Sequence, residues 1–183
     1  WWDQDVRIVE IIMAKTLIST STASASATLD ITSGIDSTYP VYEFHFVNMH
    51  PQSDAKFAFQ FDTGTNTNYN QQITSTFFIT WHKEDDSSAG IGYEGNNDQA
   101  NGTSYQPLTS EIVDSGDADS SISGILTLYD PSSSTYVKHF MAVSDYFQQD
   151  PAQQNAYIAG YVNTTTALTR ISFKFESGNI DDG

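Results

Sequence analysis

Ile171-Ser172-Phe173-Lys174-Phe175-Glu176 is the stretch that decides the fold. Apolar and polar residues alternate one for one, and in a strand successive side chains point to opposite faces. Ile171, Phe173 and Phe175 therefore face a core, while Lys174 and Glu176 face away from it. Phe57, Phe59 and Phe61 repeat the pattern with Ala58 and Gln60 on the other side, and Tyr42-Glu43-Phe44-His45-Phe46 repeats it again. Less regular strands are expected at Lys15 to Ser21, Ala27 to Thr32, Thr76 to His82, Ile125 to Tyr129, Tyr136 to Val143 and Ala156 to Val162. Turn formers separate them, as in Ser33-Gly34-Ile35-Asp36-Ser37 and Asp130-Pro131-Ser132-Ser133-Ser134.

Short strands between turns make an all-β chain, and about nine of them predict an antiparallel β-sandwich of jelly-roll-like type. One region breaks the rhythm. Glu84 to Ser121 is rich in Gly, Asn, Asp and Ser, with Tyr105, Leu108, Ile112 and Val113 as its anchors. It is expected to be a long polar surface excursion with at most one short strand, at Glu111 to Val113.

Composition sets the outer limits. The 183 residues carry 23 Asp plus Glu against 7 Lys plus Arg, a formal charge of −16. Such a charge repels phosphate, so nucleic acid is not an expected partner. No apolar run is long enough for a membrane helix, so membrane insertion is not expected either. Cysteine is absent, which removes disulfides, thiolate metal sites and thiol nucleophiles. Aromatic residues make up 13% of the chain, enough to build a core and to argue against a disordered acidic tail.

The ends read differently from the middle. Trp1 to Ile12 lacks the basic leader, apolar core and cleavage site of a secretory signal, and Met13-Ala14-Lys15 follows it. It is either an amphipathic segment packing Val6, Ile8, Val9, Ile11 and Ile12 on the domain, or upstream sequence read in frame before a natural start at Met13. The second is the reading adopted, with residues 1–12 an extension and 13–183 a single sandwich domain. At the other end the chain stops shortly after the turn-like Ser177-Gly178-Asn179, and an outer strand is expected to be missing.

Motifs for chemistry are sparse. The Gly-x-Ser-x-Gly elbow and the His-Glu-x-x-His metal pattern do not occur. His45, His50, His82 and His139 are expected to play structural or surface roles. Acidic turns such as Glu84-Asp85-Asp86 could supply the paired carboxylates of a hydrolase, but no linked motif supports one, and no enzyme activity or catalytic residue is expected. Asp114, Asp117 and Asp119 offer hard oxygens in a flexible turn, the donor type calcium prefers, without the full EF-hand loop. Ca²⁺ is the one cofactor considered. Tyr93 and Tyr105 in the excursion are candidates for stacking on a surface glycan, which leaves a carbohydrate-binding module as the alternative function. Asn101-Gly102-Thr103 and Asn163-Thr164-Thr165 match the glycosylation acceptor pattern, which matters only in a secreted chain.

Several phrases together carry a resemblance. Ser33-Gly34-Ile35-Asp36-Ser37-Thr38-Tyr39, Tyr42-Glu43-Phe44-His45-Phe46, Asn48-Met49-His50-Pro51, Thr76-Phe77-Phe78, Tyr136-Val137-Lys138-His139-Phe140, Ala159-Gly160-Tyr161 and the stretch from Ile171 to Ile180 follow in order. The chain resembles a family of small virion structural proteins from tailed phages that infect marine bacteria, from about Met13 to the end except for Glu84 to Ser121. The resemblance implies a non-enzymatic head-decoration, tail or fibre component located in the virion. It also implies contacts with other virion proteins and assembly as a homo-oligomer. In that family one more strand follows the last turn. No site residues transfer with it.

Overall fold

A computed structural model describes residues 15–183. The expected extension at 1–12 and the start at Met13 lie outside the described residues. Thirteen strands follow in order: β1 (Ser24–Ser26), β2 (Leu29–Ile31), β3 (Val41–Pro51), β4 (Phe57–Thr63), β5 (Ile73–Lys83), β6 (Ala89–Tyr93), β7 (Ala100–Gly102), β8 (Gln106–Pro107), β9 (Ile122–Tyr129), β10 (Lys138–Gln148), β11 (Ala152–Val162), β12 (Leu168–Phe175) and β13 (Ile180–Asp182). All pairings are antiparallel. Nine strands form one sheet in the order β1-β13-β3-β9-β10-β11-β5-β6, with β7 also on β5, and four form a second in the order β2-β12-β4-β8. The chain is all-β and its sheets make a sandwich, as the alternation implied. Nine against four is an uneven division, unlike the two matched sheets of an eight-stranded jelly roll.

The phenylalanines hold the two sheets together. Phe57, Phe59 and Phe61 on β4 are fully buried, as is Phe140 on β10 to within 1%. Phe46 of the large sheet meets Phe57 of the small one with ring centroids 5.6 Å apart, and Phe140 meets Phe59 at 5.3 Å. Phe175 on β12 closes on Phe57 at 5.0 Å. Each such ring contributes about 1.5–3 kcal/mol through burial, with more from the tilted ring contacts.

Several expectations need correction. Lys15 to Ser21 is not a strand: these residues are exposed and unpaired along the backbone, because Leu17 and Ile18 find no sheet edge to bury against. Gln60 does point away from the core, yet it is fully buried, since the 64–72 loop and the 103–104 backbone fold over it. Its Nε2 donates to the carbonyls of Gln71, Thr103 and Ser104. The Glu84 to Ser121 region is no loose excursion. It contains β6, β7 and β8, and at Val113 a single bridge to Ala55 in place of the expected strand. It leaves the large sheet at β5 and reaches the small sheet at β4, closing the side between them. Asn97, Gln106, Thr109, Ser110 and Ser120 are buried along the way.

Candidate functional site

An antiparallel sheet that packs on one side ordinarily shows polar residues on the other. The large sheet departs from this. The register places His45 opposite Ile125, Ile125 opposite Val143, Val143 opposite Tyr157, Tyr157 opposite Phe78, and Phe78 opposite Tyr93. One row therefore runs over six strands on the outer face, about 24 Å at the usual strand spacing. Ile125, Val143 and Phe78 are each about 40% exposed and Tyr93 is 60% exposed. Met141, in the next row between Thr127 and Ala159, adds a further exposed apolar side chain.

The strands that build this face are apolar on both sides. On β10 the core side takes Phe140, Ala142 and Tyr146, while Met141 and Val143 stand outward. On β5 Phe77 is buried and its neighbour Phe78 is exposed. Phe78 and Tyr157 stack with centroids 5.0 Å apart and planes 10° from parallel. Polar residues border the row. Glu43 accepts from the ammonium of Lys15 at 2.5 Å and lies 2.9 Å from His45 Nε2, and both contacts hold its carboxyl below the usual range. Asp145 is engaged by the side-chain amides of Gln153 and Asn155. Contiguous apolar surface of this kind marks a contact site more often than chance exposure does.

The residues singled out in the sequence lie elsewhere or apart. Tyr93 belongs to the row, and its hydroxyl donates to Asp98, a bond that raises the Tyr93 pKa. Tyr105 lies over the outside of the small sheet, half-buried, with Lys174 Nζ 4.4 Å from its ring centre and Tyr69 at 6.5 Å. The two tyrosines are on opposite outer faces, so they do not form one glycan platform. Asp114 and Asp117 each accept a backbone N–H from their own loop, from Gly116 at 2.7 Å and Asp119 at 3.0 Å. Among the described residues no three His, Asp or Glu side chains converge as metal ligands would. The histidines sit at the surface: His82 lies 3.2 Å from Asp86, and His50 Nε2 lies 3.3 Å from the Asp117 carbonyl.

No protein-family model, curated protein or solved structure matches the chain. Among the described residues no helix is long and apolar enough to cross a membrane. The function must therefore be argued from the surface itself. Alternation alone does not reveal the outer row, because a period of two fixes which phase faces the core and says nothing of whether the other phase is polar. The signal was present in Phe77-Phe78 and in Met141-Ala142-Val143, where apolar residues occupy both phases of a strand.

Proposed function

We propose that this chain is a non-enzymatic structural protein of a phage particle, which assembles by placing the outer face of its nine-stranded sheet against further copies of itself. The observation that carries this reading is the apolar row from Ile125 to Tyr93, with His45 at its edge. The sequence resemblance to phage virion proteins supports the setting.

A second copy is the occupant favoured by charge. Every copy carries −16, and Glu84 to Ser121 holds nine of the acids and no Lys or Arg. Copies can approach closely only where carboxylates are few; the six residues of the row include none, and the two beside it are engaged, Glu43 by Lys15 and His45 and Asp145 by Gln153 and Asn155. A face about 24 Å by 20 Å buries about 1,000 Å² when two copies meet, the lower limit for a specific interface. One such contact is weak alone and becomes firm when repeated around a particle, through avidity. Salt assists, because at about 0.15 M and above the repulsion is screened within about 8 Å. Neighbouring particle proteins then dock on the assembled copies.

The test is quantitative mass spectrometry of density-purified particles from the phage that encodes the chain. A particle component is recovered in many copies per particle. Its absence from banded particles, with the protein left in the lysate, refutes the reading.

A further inference from the structure

The large sheet is longer than the small one along the strands. β5, β10 and β11 each have 11 residues, against 7 in β4 and 8 in β12. At one end their core-facing side chains therefore run past the covering sheet. Trp81 follows Phe77 and Ile79 on β5, Gln148 follows Tyr146 on β10, and Gln154 precedes Ala156 on β11. They floor an open-sided groove of about 480 Å³ with Glu94 and Glu111 on its walls. That size is within the range of sites that take small ligands.

The indole of Trp81 is laid flat by glycine. Trp81 pairs with Gly90 on β6. A Cβ on Gly90 would lie 2.6 Å from Trp81 Cζ2 and 2.7 Å from Cη2, and one on Gly92 would lie 3.5 Å from Cζ3. Gly90 is the residue the seat requires, since any side chain there would collide with the ring, whereas a Cβ at position 92 would make an ordinary contact. Trp81 is partly buried against the core on one side and lines the groove with the rest of its ring.

The polar groups around it are held in place. Gln154 lies opposite Trp81 in the register. Its Oε1 accepts from the Ser110 hydroxyl at 2.9 Å and from the Tyr146 hydroxyl, and its Nε2 donates to Gln148 Oε1 at 2.5 Å. This chain of bonds fixes the Gln148 side chain through its oxygen, and Gln148 lines the groove. Glu94 and Glu111 supply acceptors. At the rim, Asp150 is bridged to Lys83 at 2.7 Å.

From this arrangement we infer that the groove at the mouth of the sandwich binds a neutral glycan, with one sugar ring stacked on Trp81 and its hydroxyls shared among Gln148, Glu94 and Glu111. A pyranose has an apolar C–H face that packs on an aromatic ring, and a rim of hydroxyls that need both donors and acceptors. The groove offers one flat aromatic face, an amide donor and two carboxylate acceptors. Anionic ligands are disfavoured, because Glu94, Glu111 and Asp150 face them and, among the described residues, Lys83 is the one cation lining the groove. Organic cations are served best by several aromatic faces around the charge, and this groove supplies one. The open sides suit a chain that continues beyond the site. The inference does not rest on the particle reading and uses none of the outer row.

The test is ligand-observed saturation-transfer NMR on the full chain at millimolar ligand. The probes are cello-, manno-, galacto- and chito-hexaose, with a trimethyllysine peptide as the cationic alternative. At least one hexasaccharide should bind. Its affinity should fall at least tenfold in Trp81→Ala and several-fold in Glu111→Gln, with no change in Phe78→Lys. Gly90→Ala keeps the tryptophan but lifts it off its seat, and it should weaken binding as well, which covers the case that Trp81→Ala does not fold. The inference is overturned by failure of all four hexasaccharides, by binding of the peptide alone, or by glycan binding unaffected in Gly90→Ala and Glu111→Gln.

Discussion

Phe78 and Tyr157 lie ring on ring across neighbouring strands, 5.0 Å between centroids, on a sheet face that no part of the described chain covers. The stack sits outside the core, and Phe77 and Ile158 fill the inside of the same two strands. Phe78→Lys should therefore cost the isolated domain little, about 0.5–1 kcal/mol from the lost cross-strand pair. Thermal unfolding of dilute protein checks this. A large loss would mean that the face serves folding rather than contact.

Tyr146 makes stability depend on alkaline pH. Its hydroxyl is buried and accepts from the Ser110 amide at 2.8 Å, and burial pushes its pKa up to about 12. The folded state thus holds this proton more tightly than the unfolded state, where the group titrates near 10. Its contribution is intact below pH 10 and is lost as pH rises through about 12, a change of about 3 kcal/mol. Tyr146→Phe should be less stable at neutral pH by about 1–3 kcal/mol and lose stability less steeply above pH 10. Denaturant titrations at stepped pH would show parallel curves if Tyr146 plays no part.

Lys138 is fully buried, and its ammonium donates to the carbonyls of Ser133 at 2.5 Å, Tyr136 at 3.2 Å and Thr164 at 3.2 Å. It ties the turn after β9 to the turn after β11. Desolvation holds its pKa below the ordinary lysine value, but three carbonyl partners keep the charge satisfied. Lys138→Met matches the length and removes the donors, leaving three carbonyls short of a partner. The expected cost is about 2–4 kcal/mol, measured by urea unfolding. A neutral result would show that the turns are held by other contacts.

Gly160 lies under the Phe140 ring on β11. A Cβ there would sit 2.5 Å from the Thr74 carbonyl oxygen and 2.7 Å from Phe140 Cζ. Gly160→Ala must move a ladder strand or a core ring, and should cost about 1–3 kcal/mol. At Gly95 the nearest atom to such a Cβ is 3.8 Å away, so Gly95→Ala serves as the control and should change little. Equal melting temperatures for the two variants would contradict the packing described for Phe140.

The strands with a clean period of two were legible in the sequence, because Phe57, Phe59, Phe61, Phe173 and Phe175 are core residues in strictly alternating phase. What lies between Glu84 and Ser121 was not. Its strands are short and polar, and its burial comes from amides and hydroxyls such as Asn97, Gln106 and Ser110 that bond to distant backbone and side-chain groups. Such pairings carry no sequence period. Composition placed Tyr93 and Tyr105 in one region, but their positions on opposite faces depend on the path from β5 to β4. Trp81 was readable as the end of a strand, while its seat on Gly90 and Gly92 needed the β5–β6 register.

Whether the outer row joins copies of this chain is decided by sedimentation equilibrium of the full chain. The runs should span micromolar to millimolar protein in seawater-strength salt, with Phe78→Lys and Val143→Lys alongside. The unmodified chain should associate reversibly and more strongly as salt rises, and both variants should lose the association while keeping their melting temperatures. A chain that stays monomeric throughout, or variants that associate as well as the original, would contradict a contact through this row.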